Sequence, residues 1–133
     1  MYSILVIDDD IDMLNLYRFF LGNAGHSVHT LSNPLMAMDM IDHNDYSLII
    51  TDILMPQLNG IELTRLIQAK YPTQKILVCS EGGTSDAREI VASIVLDKAV
   101  SFGAFDALKK PFTKQELLNR VNAIMDGASS LDQ

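Results

Sequence analysis

Acidic, hydroxyl and amine side chains follow four separate apolar runs of this sequence. The residues are Asp8 and Asp9 after the first run, Asp52 after the third, Ser80 after the fourth and Lys110 after the fifth. Three carboxylates held close together repel one another and stay ionised together only beside a cation. Mg²⁺ suits that role because it accepts few protein ligands together with waters and a phosphate. Mg²⁺ and Lys110 would together balance the charge of the three carboxylates.

A site of this composition favours phosphoryl transfer, because that reaction depends mainly on positioning and charge neutralisation. A carboxylate can accept the phosphoryl group as an acyl phosphate, and Ser80 could donate a hydrogen bond to a phosphoryl oxygen. Taken singly, each residue also has an ordinary explanation: an acidic turn for Asp8 to Asp10, a cap for Asp52, a loop hydroxyl and a solvated lysine. The set carries information only if the fold gathers it in one place.

The elements that must position these side chains alternate between short apolar runs and segments with helical periodicity. The apolar runs predict five strands, over residues 2–7, 27–31, 48–51, 75–79 and 105–109. Helical spacing predicts helices over residues 12–24, 34–42, 61–70, 86–102 and 114–125, the last opened by a capping box from Thr113 to Glu116. Because each parallel crossover needs a helix, the pattern predicts an α/β fold with a doubly wound five-stranded parallel sheet and helices on both faces.

In such sheets the site lies beyond the carboxyl ends of the strands. The predicted sheet therefore brings three carboxylates, a hydroxyl and an amine to one edge. We expect a single domain over residues 1–125, followed by a polar tail or the start of a linker over residues 126–133.

Composition excludes several classes of function. Ten basic residues against 17 acidic ones give a net charge of −7, which is a poor match for nucleic acid or an anionic membrane. There is no phosphate-binding glycine motif for a nucleotide, and no apolar run long enough to span a membrane. The single cysteine, Cys79, fits a reducing compartment. The start of the chain shows no signal peptide, so we expect a cytoplasmic location and an N-terminal position for this domain.

The same residues resemble the receiver domain of bacterial two-component response regulators over about residues 2–125. The matching segments are residues 4–10, residues 48–56 with Gly60, residues 76–80 and the Lys110-Pro111-Phe112 triplet. Each segment is short, but their order and their positions at strand ends make the combination specific. The resemblance implies a flavodoxin-like (βα)5 fold and a role as a phosphoprotein in signal transduction.

The resemblance implies that Asp52 is the phosphoacceptor. Its phosphoryl group would come from a phosphohistidine on a sensor histidine kinase or a histidine phosphotransfer protein. Asp8, Asp9 and Asp52 would hold Mg²⁺, with the backbone carbonyl of Leu54 as a further ligand.

The resemblance also gives roles to the remaining site residues. Lys110 would pair with Asp52 and then with the phosphoryl group, and the Lys110-Pro111 bond is expected to be cis. Ser80 would shift toward the phosphoryl oxygen and so switch a protein-interaction surface around residues 82–125. The predicted helix over residues 86–102 is rich in apolar residues, which points either to deep packing on the sheet or to a downstream protein partner.

Three features depart from the family pattern. Ala107 stands where the family often has an aromatic residue, and no spacing favours Phe102, Phe105 or Phe112 as its substitute. Glu81 follows the hydroxyl where a small residue is usual, and Lys110 follows Ser80 by 30 positions, several more than in the family.

These departures leave alternatives open. The chain could be a degenerate receiver that acts only as a binding scaffold, or a phosphatase of the haloacid-dehalogenase type that uses Asp8. On the leading interpretation it is no metabolic enzyme and catalyses only its own aspartyl phosphorylation and dephosphorylation.

Overall fold

The structure, a computed structural model, describes residues 1–81 and 105–127, without the side chains of Glu81 and Phe105. The strands are β1 (Ser3–Ile7), β2 (Ser27–Leu31), β3 (Leu48–Asp52), β4 (Ile76–Glu81) and β5 (Phe105–Lys110). The helices are α1 (Ile11–Asn23), α2 (Ala37–His43), α3 (Gly60–Lys70) and α4 (Lys114–Met125), with a short 3₁₀ turn (Pro34–Met36) before α2. The predicted helix over residues 86–102 and residues 128–133 of the predicted tail lie outside the described residues.

The five strands form one parallel sheet in the order β2-β1-β3-β4-β5. This is the flavodoxin-like order, in which the direction of winding reverses between β1 and β3. The predicted fold class is confirmed. Asp8 directly follows β1 and Asp52 ends β3, so both lie at the point where ligands bind in such sheets.

Three strands end later than the apolar runs predicted: β3 includes Asp52, and β4 and β5 also continue. Ser80 and Glu81 continue β4 by pairing with Lys109 and Lys110 of β5. Ser80 and Lys110 were expected just beyond their strands and instead lie within the last two residues of them. Backbone pairing continues past the first polar side chain, which an apolar-run criterion cannot detect.

Side chains alternate between two buried clusters, one on each face of the sheet, because successive residues of a strand point to opposite faces. One face carries Leu5, Ile49 and Val78 against α2 and α3. The other face carries Val6, Ile50, Cys79 and Leu108 against α1 and α4, and it includes Tyr17 and Val121 from those helices.

Three of the four described α-helices begin at a short polar side chain that caps them. Asp10 caps α1, and Asn59 accepts a hydrogen bond from the Glu62 amide at the start of α3. The predicted capping box between Thr113 and Glu116 is confirmed in both directions at α4. None of the described helices combines the length and the hydropathy needed to cross a bilayer.

Candidate phosphoacceptor and metal site

Asp8 is held rigidly at the carboxyl end of β1. Its side chain is 1% exposed. The Oδ1 atom accepts a hydrogen bond of 2.9 Å from the Asp10 amide, and Oδ2 accepts one of 2.8 Å from Lys110 Nζ. Both oxygens of this carboxylate are therefore already engaged, one by the turn into α1 and one by the lysine.

Asp52 lies at the end of β3 and is 5% exposed. Its Oδ1 is 3.3 Å from Lys110 Nζ, close enough for an ion pair, but it accepts no hydrogen bond from any described residue. A buried carboxylate oxygen without a hydrogen-bond donor is costly unless a cation or a ligand completes its surroundings. Unlike Asp8, Asp52 therefore has a buried oxygen that can still bind a cation or a ligand.

Lys110 supplies the positive charge between these two carboxylates. It ends β5, is 4% exposed, and is followed by a cis Lys110-Pro111 bond, as the resemblance implied. Burial lowers the pKa of its ammonium, but the hydrogen bond that it donates to Asp8 and the charges of Asp52 and Asp8 outweigh burial and leave the pKa raised. Lys110 therefore stays charged inside the protein.

A third carboxylate completes an acidic cluster. Asp8, Asp9 and Asp52 each place one carboxylate oxygen within 4.8 Å of the others, and Asp9 is exposed to solvent. An all-oxygen set with one open side matches what Mg²⁺ requires. The unbonded Oδ1 of Asp52 gives independent support that the pocket is incomplete without a cation.

Burial disfavours the ionised form of the Asp52 carboxyl group. It raises the pKa of this group to about 6, with nearby Asp8 adding to the effect and Lys110 opposing it. One ammonium is therefore too little to offset burial and the neighbouring acid. A divalent cation would lower the pKa of Asp52 and favour the ionised form.

Ser80 and Ala107 lie on neighbouring strands beside this pocket. Ser80 follows Cys79, the residue opposite Asp52 in the β3–β4 register. Alternation along β4 and β5 places Ser80 and Ala107 on the face of the α2 and α3 helices. Phe112 packs in the cluster on the opposite face of the sheet. It therefore does not replace the aromatic side chain that the family often has at the position of Ala107.

Two contributors to the site were missed by sequence reasoning. Asp10 was read only as part of an acidic triplet, but its amide holds Asp8 and its side chain caps α1. Its place just before a periodic helix is the signal that could have identified it. Tyr17 packs under the pocket against Phe112, a position that no sequence signal indicates.

The five parallel strands have the flavodoxin-like order, and three carboxylates and a lysine meet where the direction of winding reverses. This combination defines a flavodoxin-like domain of the receiver type. The chain belongs to the response regulator receiver domain family, whose family model matches residues 4–122.

Named relatives agree with this assignment. The chain is 32% identical over 130 residues to a transcriptional regulatory protein CpxR homolog of Haemophilus influenzae, covering 98% of this chain and 53% of that protein. It is 34% identical over 122 residues to response regulator MprA of a Mycobacterium species, covering 92% of this chain and 50% of that protein. The chain thus spans about half the length of the curated relatives it matches.

Solved structures give the same result. A response regulator receiver domain protein of Clostridium thermocellum superimposes with a TM-score of 0.79 at 29% identity, covering 95% of each chain. The chain is therefore a receiver domain homologous to those of two-component response regulators. Nothing in these comparisons supports a haloacid-dehalogenase-type phosphatase or a scaffold without phosphorylation.

Proposed function

We propose that Asp52 accepts a phosphoryl group from a phosphohistidine on a sensor histidine kinase or a histidine phosphotransfer protein. The observation that carries this proposal is the buried Asp52 carboxylate, whose Oδ1 lies beside Lys110 yet accepts no hydrogen bond from the described residues. An oxygen without a donor keeps its lone pairs available for attack. Asp8 has both oxygens engaged and is the poorer nucleophile.

In the transfer, an Asp52 oxygen attacks phosphorus and the phosphorus–nitrogen bond breaks. The electron pair returns to the imidazole nitrogen of the donor, and Asp52 becomes an acyl phosphate. Lys110 then pairs with a phosphoryl oxygen. Bound by Asp8, Asp9, Asp52 and the carbonyl of Leu54, Mg²⁺ would neutralise negative charge on the phosphoryl group.

Hydrolysis of the acyl phosphate by water would reset the domain. On this proposal the chain catalyses only its own phosphorylation and dephosphorylation and is no metabolic enzyme. Ser80 would approach the phosphoryl oxygen and change the surface around residues 82–125. Because Ala107 is small, the report would travel through Ser80 and the backbone of β4 and β5 rather than through an aromatic side chain.

Exposed apolar side chains near the acidic pocket support a protein as the donor. Each lies in the segment that directly follows one of three adjacent strands: Ile11 is 65% exposed, Leu35 61%, Met36 49% and Leu54 59%. We call these four residues the apolar rim. Exposed apolar side chains grouped beside a polar site are typical of a surface that docks another protein. A cytoplasmic location stays a prediction.

The test is incubation with Mg²⁺ and acetyl phosphate, followed by intact mass measurement. We expect one added phosphoryl mass on the wild type and none on Asp52→Asn. Asp45→Asn, which changes an exposed acid between α2 and β3, is the matched control and should label like the wild type.

Two results would contradict the proposal. Labelling that survives Asp52→Asn but is lost in Asp8→Asn would transfer the phosphoacceptor role to Asp8. A wild type that neither binds Mg²⁺ nor gains mass would indicate a binding scaffold.

A further inference from the structure

Tyr17 is the bulkiest fully buried side chain of the described residues, and it lies beneath the acidic pocket. It is 1% exposed and belongs to the cluster formed by α1, α4 and one face of the sheet. Because side chains alternate along a strand, Asp8 lies on the same face as Val6, and Asp52 on the same face as Ile50. Tyr17 therefore packs on the face from which the pocket rises.

The ring of Tyr17 contacts the turn that carries the pocket's lysine. Its centroid lies 5.5 Å from that of Phe112, with the rings tilted by 42°. Aromatic pairs at this separation are favourable beyond the area that they bury. Phe112 is two residues beyond Lys110, so the ring contact ties α1 to the segment that sets the direction of the lysine side chain.

Tyr17 also packs with the strand beside the phosphoacceptor. Tyr17 and Cys79, a residue of that strand, belong to the same buried cluster. Cys79 is opposite Asp52 in the register, and its carbonyl accepts a hydrogen bond from the Ile53 amide. One side chain thus joins the helix after Asp8, the strand beside Asp52 and the turn after Lys110.

We propose that Tyr17 is a positioning residue that holds Lys110 between Asp8 and Asp52 by packing against Phe112. Its effect on phosphoryl transfer rests on the proposed function of Asp52, but its effect on the position of Lys110 does not. A shortened side chain at residue 17 would leave a cavity into which Phe112 moves. Lys110 would move with the turn and lose its contact with Asp8.

The experiment compares Tyr17→Leu with a matched control, Leu21→Ala, one turn further along α1 in the same cluster and equally buried. Three quantities are measured on folded samples: the Lys110 Nζ to Asp8 Oδ2 distance in crystals, Mg²⁺ affinity by calorimetry and the phosphorylation rate with acetyl phosphate. Tyr17→Phe keeps the ring and serves as the conservative variant. Phe112→Leu breaks the same contact from the other side.

In Tyr17→Leu we expect Lys110 to leave its 2.8 Å contact with Asp8. The phosphorylation rate should fall about tenfold or more, as small displacements of catalytic groups do. Mg²⁺ affinity should change little because the three carboxylates remain. Tyr17→Phe should stay close to the wild type, and Tyr17→Leu combined with Phe112→Leu should be no slower than either alone.

Lys110 remaining at its wild-type distance from Asp8 in Tyr17→Leu would overturn the proposal. So would a loss of rate no greater than that of Leu21→Ala, or Mg²⁺ affinity falling in parallel with the rate. If Tyr17→Leu does not fold, Phe112→Leu decides by the same measurements. A wild type that takes no phosphoryl group would refute the proposed function, whereas the crystallographic distance would still decide the role of Tyr17.

Discussion

Lys110 is shared unequally by two buried carboxylates. Its Nζ donates a 2.8 Å hydrogen bond to Asp8 and lies 3.3 Å from Asp52 without one. Asp52 is therefore the less neutralised of the two, and burial raises its pKa to about 6. The folded protein therefore disfavours the ionised form of Asp52, which is the form that the proposed nucleophilic attack requires. Ionised Asp52 therefore lowers the stability of the folded protein, and a bound cation or a phosphoryl group can relieve this effect.

The raised pKa of Asp52 predicts the sign of a pH effect on stability. A carboxyl group with a higher pKa in the folded state than its usual 3.8 destabilises the fold as it ionises, between about pH 4 and pH 6. Asp52→Asn should therefore raise the free energy of unfolding at pH 7 by about 1–3 kcal/mol. The gain should vanish below about pH 4. Urea unfolding in metal-free buffer at both pH values measures it.

The control for this prediction is Asp9→Asn, which removes a neighbouring acid that is exposed. It should change stability by far less than Asp52→Asn. Equal stabilisation by the two variants would show that general repulsion among the acids, rather than burial of Asp52, is the cause.

At the scale of elements, the connection from β3 to α3 depends on a glycine. The Gly60 amide donates to the Ile53 carbonyl at 2.8 Å, and the Thr64 hydroxyl donates to the Gly60 carbonyl at 2.7 Å. A Cβ atom at Gly60 would lie 2.1 Å from the Asp52 carbonyl oxygen. The start of α3 thus packs directly on the backbone of Asp52. Any residue other than glycine at position 60 would force these main-chain atoms to shift.

Gly60→Ala should displace the backbone of Asp52. We expect a loss of about 2 kcal/mol or more in the free energy of unfolding, since the clash is with main-chain atoms. Gly22→Ala is the matched control, because nothing lies within 4 Å of its Cβ position. It should raise stability by up to about 1 kcal/mol, as alanine favours the helix interior. Thermal unfolding of both variants measures the difference, and a neutral Gly60→Ala would show that the loop adjusts freely.

Much of this arrangement can be predicted from sequence because it depends on local pattern. The parallel sheet with helices on both faces follows from alternating apolar runs and helices, its flavodoxin-like arrangement from the resemblance to receiver domains, and the capping box at Thr113 from a four-residue signature. The preference of Lys110 for Asp8 cannot be predicted, since it depends on tenths of an ångström between elements about 100 residues apart. The contact of Tyr17 with Phe112 cannot be predicted either, because an apolar face specifies burial without naming the neighbour.

At the scale of the whole molecule, acidic charge and exposed apolar surface occur at the same end of the sheet. The protein is acidic overall, with a net charge of −7, and the residues of the apolar rim, Ile11, Leu35, Met36 and Leu54, follow the strands β1, β2 and β3. A small phosphodonor needs only the pocket, whereas a protein donor also covers the rim. The two kinds of donor should therefore respond differently to changes in the rim.

Replacing Leu35 and Met36 together by serine should slow transfer from a phosphorylated histidine phosphotransfer domain that labels the wild type. We expect about a fivefold loss or more, equivalent to ~1 kcal/mol of docking energy. Labelling by acetyl phosphate should be unchanged. The comparison is with Leu66→Ser, which alters an exposed leucine of α3 outside the rim. Equal losses with both donors would mean that the substitutions damage the pocket itself.

Cys79 is the single cysteine of the sequence, and it is fully enclosed between Tyr17 and the strand of the phosphoacceptor. Burial raises the pKa of its thiol to about 12, so the sulfhydryl is protonated and shielded at neutral pH. A maleimide can reach it only when the layers around the pocket part. The rate of alkylation therefore measures how often the structure around Cys79 opens, and the measurement needs no engineered label.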